Sequence, residues 1–160
     1  MDERNPYQAP RSEVRDGDAV IDLRFRWKAV VFGALTDIGG SIVVGAAIFA
    51  ILFAQASGGG ASAEELMKSL GADPTYLLLS LVIGMLFSAV GGYVAGRVAG
   101  HAHIKHALVA GALSMALGAL IGGDSNSGPY QGVMNLLGYG LHFPVVALGA
   151  WFAKRRAASQ

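Results

Sequence analysis

Four long apolar stretches constrain the fold of this chain more than any other feature. They cover residues 29–53, 75–99, 104–123 and 130–153, and a helix of about 20 residues already crosses a hydrocarbon core of ~30 Å. Hydrophobic residues make up 53% of the sequence and charged residues only 14%, whereas soluble domains carry about 25% charge. So much apolar surface requires a lipid bilayer, and we predict an all-α integral membrane protein, a four-helix bundle.

The segments that flank these stretches are polar. Residues 1–19 mix proline, glycine and both charge signs without apolar periodicity, which predicts a disordered cytoplasmic tail. We assign residues 20–153 to the transmembrane domain and residues 154–160 to a basic cytoplasmic tail. In the first connection, Ser62 and Glu65 have the spacing of a capping box, which predicts a short surface helix in the first extracytoplasmic loop.

Lysine and arginine are divided unevenly between the two sides of the predicted bundle. Of the 12 such residues, 11 fall before the first span, between the second and third spans or after the fourth, and only Lys68 falls on the other side. Positively charged loops stay in the cytoplasm, so both termini are predicted to be cytoplasmic. The net charge of +1 predicts no nucleic-acid partner, and the absence of cysteine excludes disulfide and thiolate chemistry.

Small residues recur at every fourth position in the second and third spans. They are Gly84, Ser88, Gly92, Gly96 and Gly100 in the second span and Ala110, Ser114, Gly118 and Gly122 in the third. Such stripes let helix backbones approach closely in lipid, and the short turn between the two spans predicts an antiparallel hairpin packed through them. The pattern fits equally a contact with a second copy of the chain or with another membrane protein.

Polar residues inside the spans define a candidate site. Asp37 lies nine residues past Lys28, about 13 Å into the first span, and His142 lies about 18 Å in from Lys154, so the two reach comparable depths. Arg97 ends the second span and is an alternative partner for Asp37. The predicted intramembrane polar site consists of Asp37, His142, Arg97, Asn135 and Gln131.

Two interpretations of this polar site are possible. Intramembrane ionisable groups often line a path for protons or solutes, and Asp37 with His142 fits such a path. Alternatively, the site is a structural clamp in which Asp37 pairs with Arg97 and His142 bonds a backbone carbonyl. One acid and one histidine are few for a proton relay, which favours the clamp.

Three histidines between the second and third spans invite a metal interpretation. Neutral imidazoles are common zinc ligands, but no carboxylate or thiol accompanies His101, His103 and His106. We interpret this turn as a basic segment in contact with lipid headgroups, and we predict no metal site and no cofactor. The sequence also lacks the Gly-x-Ser-x-Gly, His-Glu-x-x-His and Gly-rich phosphate-loop motifs, so we expect no enzymatic activity.

An acidic residue in the first of four short spans resembles the small multidrug resistance family. The strong charge bias and the long first loop depart from that family, which serves here only as an example of the transporter class. Two other segments resemble small four-span bacterial inner-membrane proteins of unknown function: GGYVAGRVAG at Gly91 to Gly100, and NPYQAP at Asn5 to Pro10. This resemblance covers about a tenth of the chain and implies a bacterial inner-membrane setting without implying an activity.

These observations predict a multi-pass inner-membrane protein that acts as a structural or interaction component. The alternative is a small proton- or solute-coupled transporter or channel component that uses Asp37 and His142. The two functions make different demands on the bundle interior. A structural protein should have its glycine stripes in a dry, tightly packed core, whereas a transporter should have a water-accessible cavity that reaches Asp37 or His142.

Overall fold

The computed structural model describes residues 25–122 and 130–159, and these residues form five helices without a strand. The helices are α1 (Trp27–Ser57), α2 (Ala63–Ala72), α3 (Pro74–Ala99), α4 (His103–Gly122) and α5 (Gln131–Ala158). The expected disordered tail, residues 1–19, lies outside the described residues, as does the turn at 123–129.

Four of the five helices are long and apolar enough to cross a membrane, namely α1, α3, α4 and α5. This finding confirms the predicted all-helical, multi-pass class. The first and last helices extend past the predicted spans, because α1 continues to Ser57 and α5 continues through the basic residues to Ala158. At 1.5 Å per residue, α5 is about 42 Å long and exceeds the hydrocarbon thickness.

Local capping explains where the helices after the first loop begin and end. The capping box is confirmed: the Ser62 hydroxyl accepts from the Glu65 amide at 3.2 Å, and the Ser62 amide donates to the Glu65 carboxylate at 2.9 Å. The Asp73 carboxylate caps the next helix, α3, by accepting from the amides of its first turn. Helix α3 ends at Gly100, whose φ of 71° is a left-handed conformation that favours glycine.

The four long helices are arranged around a central pair. Helices α3 and α4 contact each other, and both α1 and α5 contact each of them. The most extensive contacts are those of α3 with α5 and with α1, while α2 touches only the neighbouring α1 and α3. Helices α1 and α5 therefore lie on opposite sides of the α3–α4 pair.

Buried residues are concentrated in one half of this bundle. In α1 the last buried residue is Asp37, and in α4 it is Ser114. In α5 the first buried residue is His142. In α3 the buried residues begin at Ser88, apart from Leu77 near the start of the helix. We call Asp37, Ser88, Ser114 and His142 the polar layer. The half between this layer and the lysine- and arginine-rich helix ends is the closed half, and the other is the open half.

Glycines in the closed half allow backbones to touch. Gly92 lies against the backbone of Val146, and Gly149 lies against the Ala89 carbonyl, so neither position has space for a Cβ atom. The expected hairpin contact needs correction here, because the α3 stripe faces α5 and not α4 at these positions. A Cβ at Gly96 would likewise meet α5, at 3.1 Å from the Cβ of Ala153, although His103 of α4 is also near.

Other members of the two stripes have different surroundings. A Cβ built on Gly84 or Gly118 meets nothing within 4 Å, so these two positions make no close helix contact within the described part of the chain. Ala110 is buried and faces α1, since a Cβ on Gly33 would lie 3.1 Å from it. Gly100 serves as the C-cap of α3, and Gly122 is the last residue of α4.

Candidate intramembrane polar site

The carboxylate of Asp37 is held by two serines from different helices. The Ser88 hydroxyl of α3 donates to Asp37 Oδ1 at 2.9 Å, and the Ser114 hydroxyl of α4 donates to Asp37 Oδ2 at 2.6 Å. Asp37 is only 7% exposed, and both serines are buried. Hydrogen bonds to a charged acceptor are stronger than neutral ones, so this arrangement stabilises a carboxylate inside the bundle.

His142 of α5 completes the polar layer. Its Nε2 lies 3.0 Å from the Gly111 carbonyl and 3.9 Å from Asp37 Oδ2, while its Nδ1 lies 3.2 Å from the Ser88 hydroxyl. A carbonyl oxygen only accepts hydrogen bonds, so Nε2 carries a proton. The layer thus joins all four long helices through one acid, one imidazole and two hydroxyls.

A cavity of about 580 Å³ occupies the open half, and the polar layer forms its floor. Residues from all four long helices line it. Along its length it exposes serine, methionine and aromatic side chains, including Ser41, Ser80, Met85, Met115, Met134 and Tyr139. Toward the end of the bundle remote from the basic residues, the cavity reaches Leu77, Ile121 and Gln131.

The predicted polar residues of the fourth span follow this cavity. The Gln131 side-chain amide donates to the Asn135 side-chain oxygen at 3.1 Å, and both residues line the cavity wall. Asn135 lies seven residues before His142, which is about 10 Å along α5. Gln131, Asn135 and His142 therefore descend from the mouth of the cavity to its floor.

Arg97 does not join this site. It is exposed near the end of α3, nine residues and about 13 Å beyond Ser88, in the closed half. Within residues 25–122 and 130–159, the basic side chain within 4 Å of the Asp37 carboxylate is His142, whose Nε2 lies 3.9 Å from Oδ2. Of the two contacts that define the clamp, the structure contains the bond between His142 and a carbonyl but not the pair between Asp37 and Arg97.

The two serines belong to the polar layer, although the sequence placed them only in packing stripes. Both interrupt a series of glycine and alanine, and a hydroxyl at a small-residue position is the signal that could have identified them. In lipid, such a hydroxyl has no water as a partner and bonds a neighbouring helix or its own backbone. Ser114 lies within reach of both, because its hydroxyl is 2.6 Å from Asp37 Oδ2 and 3.0 Å from the Gly111 carbonyl, two acceptors that share its one hydrogen.

The histidine-rich turn has a different structure from that of a metal site. His106 is only 1% exposed, and its Nε2 accepts the Arg26 amide at 3.0 Å while its ring stacks on Phe25. His103 Nδ1 lies 2.7 Å from the Gly96 carbonyl, and His101 meets His106 edge to face. Among the described residues, no group of three or more histidine, cysteine or acidic side chains is arranged to hold a metal ion.

Comparisons with known protein families, with characterised proteins and with solved structures find no match to this chain. The interpretation of the site therefore rests on its own geometry.

Proposed function

We propose that this chain is a small carrier of the bacterial inner membrane that binds a solute in the cavity above the polar layer. The observation that carries the proposal is the cavity itself, which reaches both Asp37 and His142. Its volume of about 580 Å³ falls within the 300–1,000 Å³ of typical small-molecule sites. With both termini in the cytoplasm, as the charge distribution favours, the cavity faces the extracytoplasmic side.

The closed half supports a carrier over an open channel. Below the polar layer, the bundle interior consists of alanine, glycine and valine, including Ala95, Ala107, Ala110, Val146 and Ala150. The next buried polar side chain among the described residues is His106, about 12 Å along α4 from Ser114. A polar solute on the floor of the cavity has no path through this half, so its passage requires the closed half to rearrange.

The cavity wall suits a small amphipathic solute. Met85, Met115 and Met134 line it from three different helices, and flexible thioether side chains adapt to apolar groups of varied shape. Among the lining residues, Asp37, His142 and Tyr139 are the titratable ones, and no lysine or arginine is present. The carboxylate of Asp37 and the imidazole of His142 lie on the floor, where they orient the solute.

The function favoured by the sequence, a structural or interaction component, is the second candidate. Its support is the close backbone contact of α3 with α5 around Gly92 and Gly149, which is typical of a helix pair built for rigidity. The two functions differ at Gly84. A carrier needs water beside this residue, whereas a structural bundle has only lipid or protein there.

Cysteine accessibility tests the carrier directly, because the chain has no native cysteine. Gly84 lines the cavity, and a side chain there meets nothing within 4 Å. The Gly84→Cys variant should react with a charged, membrane-impermeant maleimide in intact cells, because the reagent needs a water-exposed thiolate. Gly140→Cys is the matched control, since Gly140 also has open space and lies at a similar depth, but it is not among the lining residues.

The expected result is labelling of the Gly84→Cys variant at least about tenfold faster than that of the Gly140→Cys variant, because thiolates form in water and not in lipid. Preincubation with a solute that occupies the cavity should slow only the Gly84→Cys reaction. If both variants react only after denaturation, the cavity is dry and the structural component becomes the better function. Labelling from the cytoplasmic side alone would reverse the proposed orientation.

A further inference from the structure

We propose that Asp37, Ser88 and His142 form a one-proton site in which the Ser88 hydroxyl passes the proton between the carboxylate and the imidazole. The inference rests on the proposed carrier function, and it names the ion that the site binds and the residue that relays it. Its basis is a count of hydrogen atoms against hydrogen-bond acceptors.

One end of the imidazole is already fixed. His142 Nε2 lies 3.0 Å from the Gly111 carbonyl, and because the carbonyl has no hydrogen, Nε2 is the donor. In a neutral imidazole the other nitrogen, Nδ1, is therefore an acceptor. It faces the Ser88 hydroxyl at 3.2 Å.

The Ser88 hydroxyl has two partners and one hydrogen. Asp37 Oδ1 lies 2.9 Å from Ser88 Oγ on one side, and His142 Nδ1 lies 3.2 Å away on the other. With an ionised Asp37 and a neutral His142, both partners are acceptors, so the hydroxyl satisfies only one of them. An acceptor left unsatisfied in a buried site is destabilising.

One additional proton gives every donor and acceptor of the Asp37–Ser88–His142 series a hydrogen-bond partner, and it does so in two arrangements. If the proton is on His142 Nδ1, the imidazolium donates to Ser88 Oγ, and Ser88 donates to the Asp37 carboxylate. If it is on Asp37 Oδ1, the carboxylic acid donates to Ser88 Oγ, and Ser88 donates to neutral His142 Nδ1. The two arrangements interconvert when the hydroxyl releases its hydrogen to one partner as it accepts one from the other. The proton count and the net charge are the same in both.

The proton enters and leaves through the cavity. Asp37, Ser88 and His142 all line its floor, and the groups that face them from α1, α3, α4 and α5 are each other and the Ser114 hydroxyl. Tyr139 is the other titratable residue of the wall. On the opposite side, in the alanine- and glycine-rich closed half, the next buried polar side chain of residues 25–122 and 130–159 is His106. Release therefore delivers the proton to water in the cavity.

Two spectroscopic signals test this one-proton site in protein reconstituted into lipid nanodiscs. Infrared spectra report the protonated Asp37 carboxyl, assigned by its loss in Asp37→Asn. Nitrogen NMR of histidine-labelled protein reports the His142 imidazolium, assigned by its loss in His142→Gln. Since both signals describe a single shared proton, they should disappear at the same pH as the pH is raised, and their fractions should add up to one proton.

Ser88→Ala distinguishes a relay from two neighbouring titratable groups. The variant removes the bridging hydroxyl, so exchange of the proton between His142 and Asp37 should become slow. The single averaged His142 Nδ1 signal of the unmodified protein should then split into separate imidazolium and neutral-imidazole signals. Ser114→Ala is the matched control, because it removes a hydrogen bond to Asp37 Oδ2 without touching the bridge, and its His142 signal should stay averaged.

Separate midpoints in the unmodified protein would overturn the shared proton, and an averaged His142 signal in Ser88→Ala would overturn the role of Ser88. Neither result affects the carrier proposal, which the water accessibility of the Gly84→Cys variant tests separately. If that variant is labelled and the midpoints differ, the cavity binds its solute without this one-proton site.

Discussion

The closed and open halves of the bundle are built from the same four helices, yet their interiors differ. In α3, Gly92 of the closed half touches the backbone of α5, while Gly84, eight residues earlier, has open space around it. Both residues belong to the same small-every-fourth stripe. Glycine spacing therefore marks where two helices are able to approach, and the residues around it decide whether they do.

The residues around each glycine differ between the halves. In the closed half, α3 presents mainly small side chains, and its buried positions there are Ser88, Gly91, Gly92, Ala95, Gly96 and Ala99. In the open half, the same helix presents large side chains such as Leu81 and Met85 to the cavity. Small faces on both partners allow backbone contact, whereas large side chains hold the helices apart. The polar layer lies where one pattern gives way to the other.

Gly149→Ala and Gly84→Ala give the largest expected contrast between the two halves. A methyl group at Gly149 would overlap the Ala89 carbonyl, so α3 and α5 must move apart, and overpacking of this kind costs about 1–3 kcal/mol or more. A methyl group at Gly84 meets nothing, and the gain in helix propensity is up to about 1 kcal/mol. Unfolding free energies measured by steric trapping in bicelles would compare the two variants.

Gly92→Ala and Gly118→Ala repeat this comparison at independent positions. Gly92 should behave like Gly149, because its added methyl meets the Val146 backbone, and Gly118 should behave like Gly84. Equal losses of stability at all four positions would mean that the open half is also tightly packed, and the division into two halves would be wrong.

Asp37→Asn tests whether the polar layer holds the two halves together. The amide oxygen still accepts a hydrogen bond from one serine, and the other serine has a second acceptor, since Ser114 also lies 3.0 Å from the Gly111 carbonyl. We therefore expect a loss of about 1–2 kcal/mol in unfolding free energy, together with loss of any proton-coupled transport. A clamp would lose about 3–5 kcal/mol, as expected when one partner of a buried pair is removed.

The control for this variant is Asp37→Leu, which removes both acceptors and adds a branched side chain. It should be less stable than Asp37→Asn. If Asp37→Asn instead unfolds the protein as completely as the leucine variant does, then the carboxylate is a structural element and the proposed transport role loses its support.

The sequence was sufficient to predict the helices. The apolar spans and the Ser62–Glu65 capping box depend on local chemistry, which a single sequence contains, although α1 and α5 continue past the predicted spans. Depth counted along two helices also put Asp37 and His142 at comparable levels, and the structure brings them to 3.9 Å. Such arithmetic works because the rise per residue of a helix is nearly constant.

The partners of each helix face were not predictable in the same way. Spacing indicated that Gly92 lies on a contact face, but whether that face meets α4 or α5 depends on how the four helices are arranged. The cavity forms because several large side chains together hold the helices apart, and no single sequence motif predicts it. Arg97 was misplaced because a long side chain at a helix end can reach inward or outward, and the spacing is the same in both cases.

The smallest expected effect concerns α2, which has no buried residue and depends on its own cap rather than on either half. Hydrogen bonds from the Ser62 backbone amide and then from its side chain lower the pKa of Glu65 below its ordinary value of 4.5. A lowered pKa means that the cap stabilises α2 fully above pH 4.5 and is lost as the pH falls through the lowered value. Amide protection factors in α2 should therefore stay constant from neutral pH down to 4.5 and then decline.

Glu65→Gln is the control for this prediction, because its uncharged side chain still accepts the Ser62 amide. Protection of α2 in this variant should be weaker and independent of pH, and the closed half should keep its protection in both proteins. Protection in the unmodified protein that does not decline below pH 4.5 would show that α2 is held by its contacts with α1 and α3 and not by this cap.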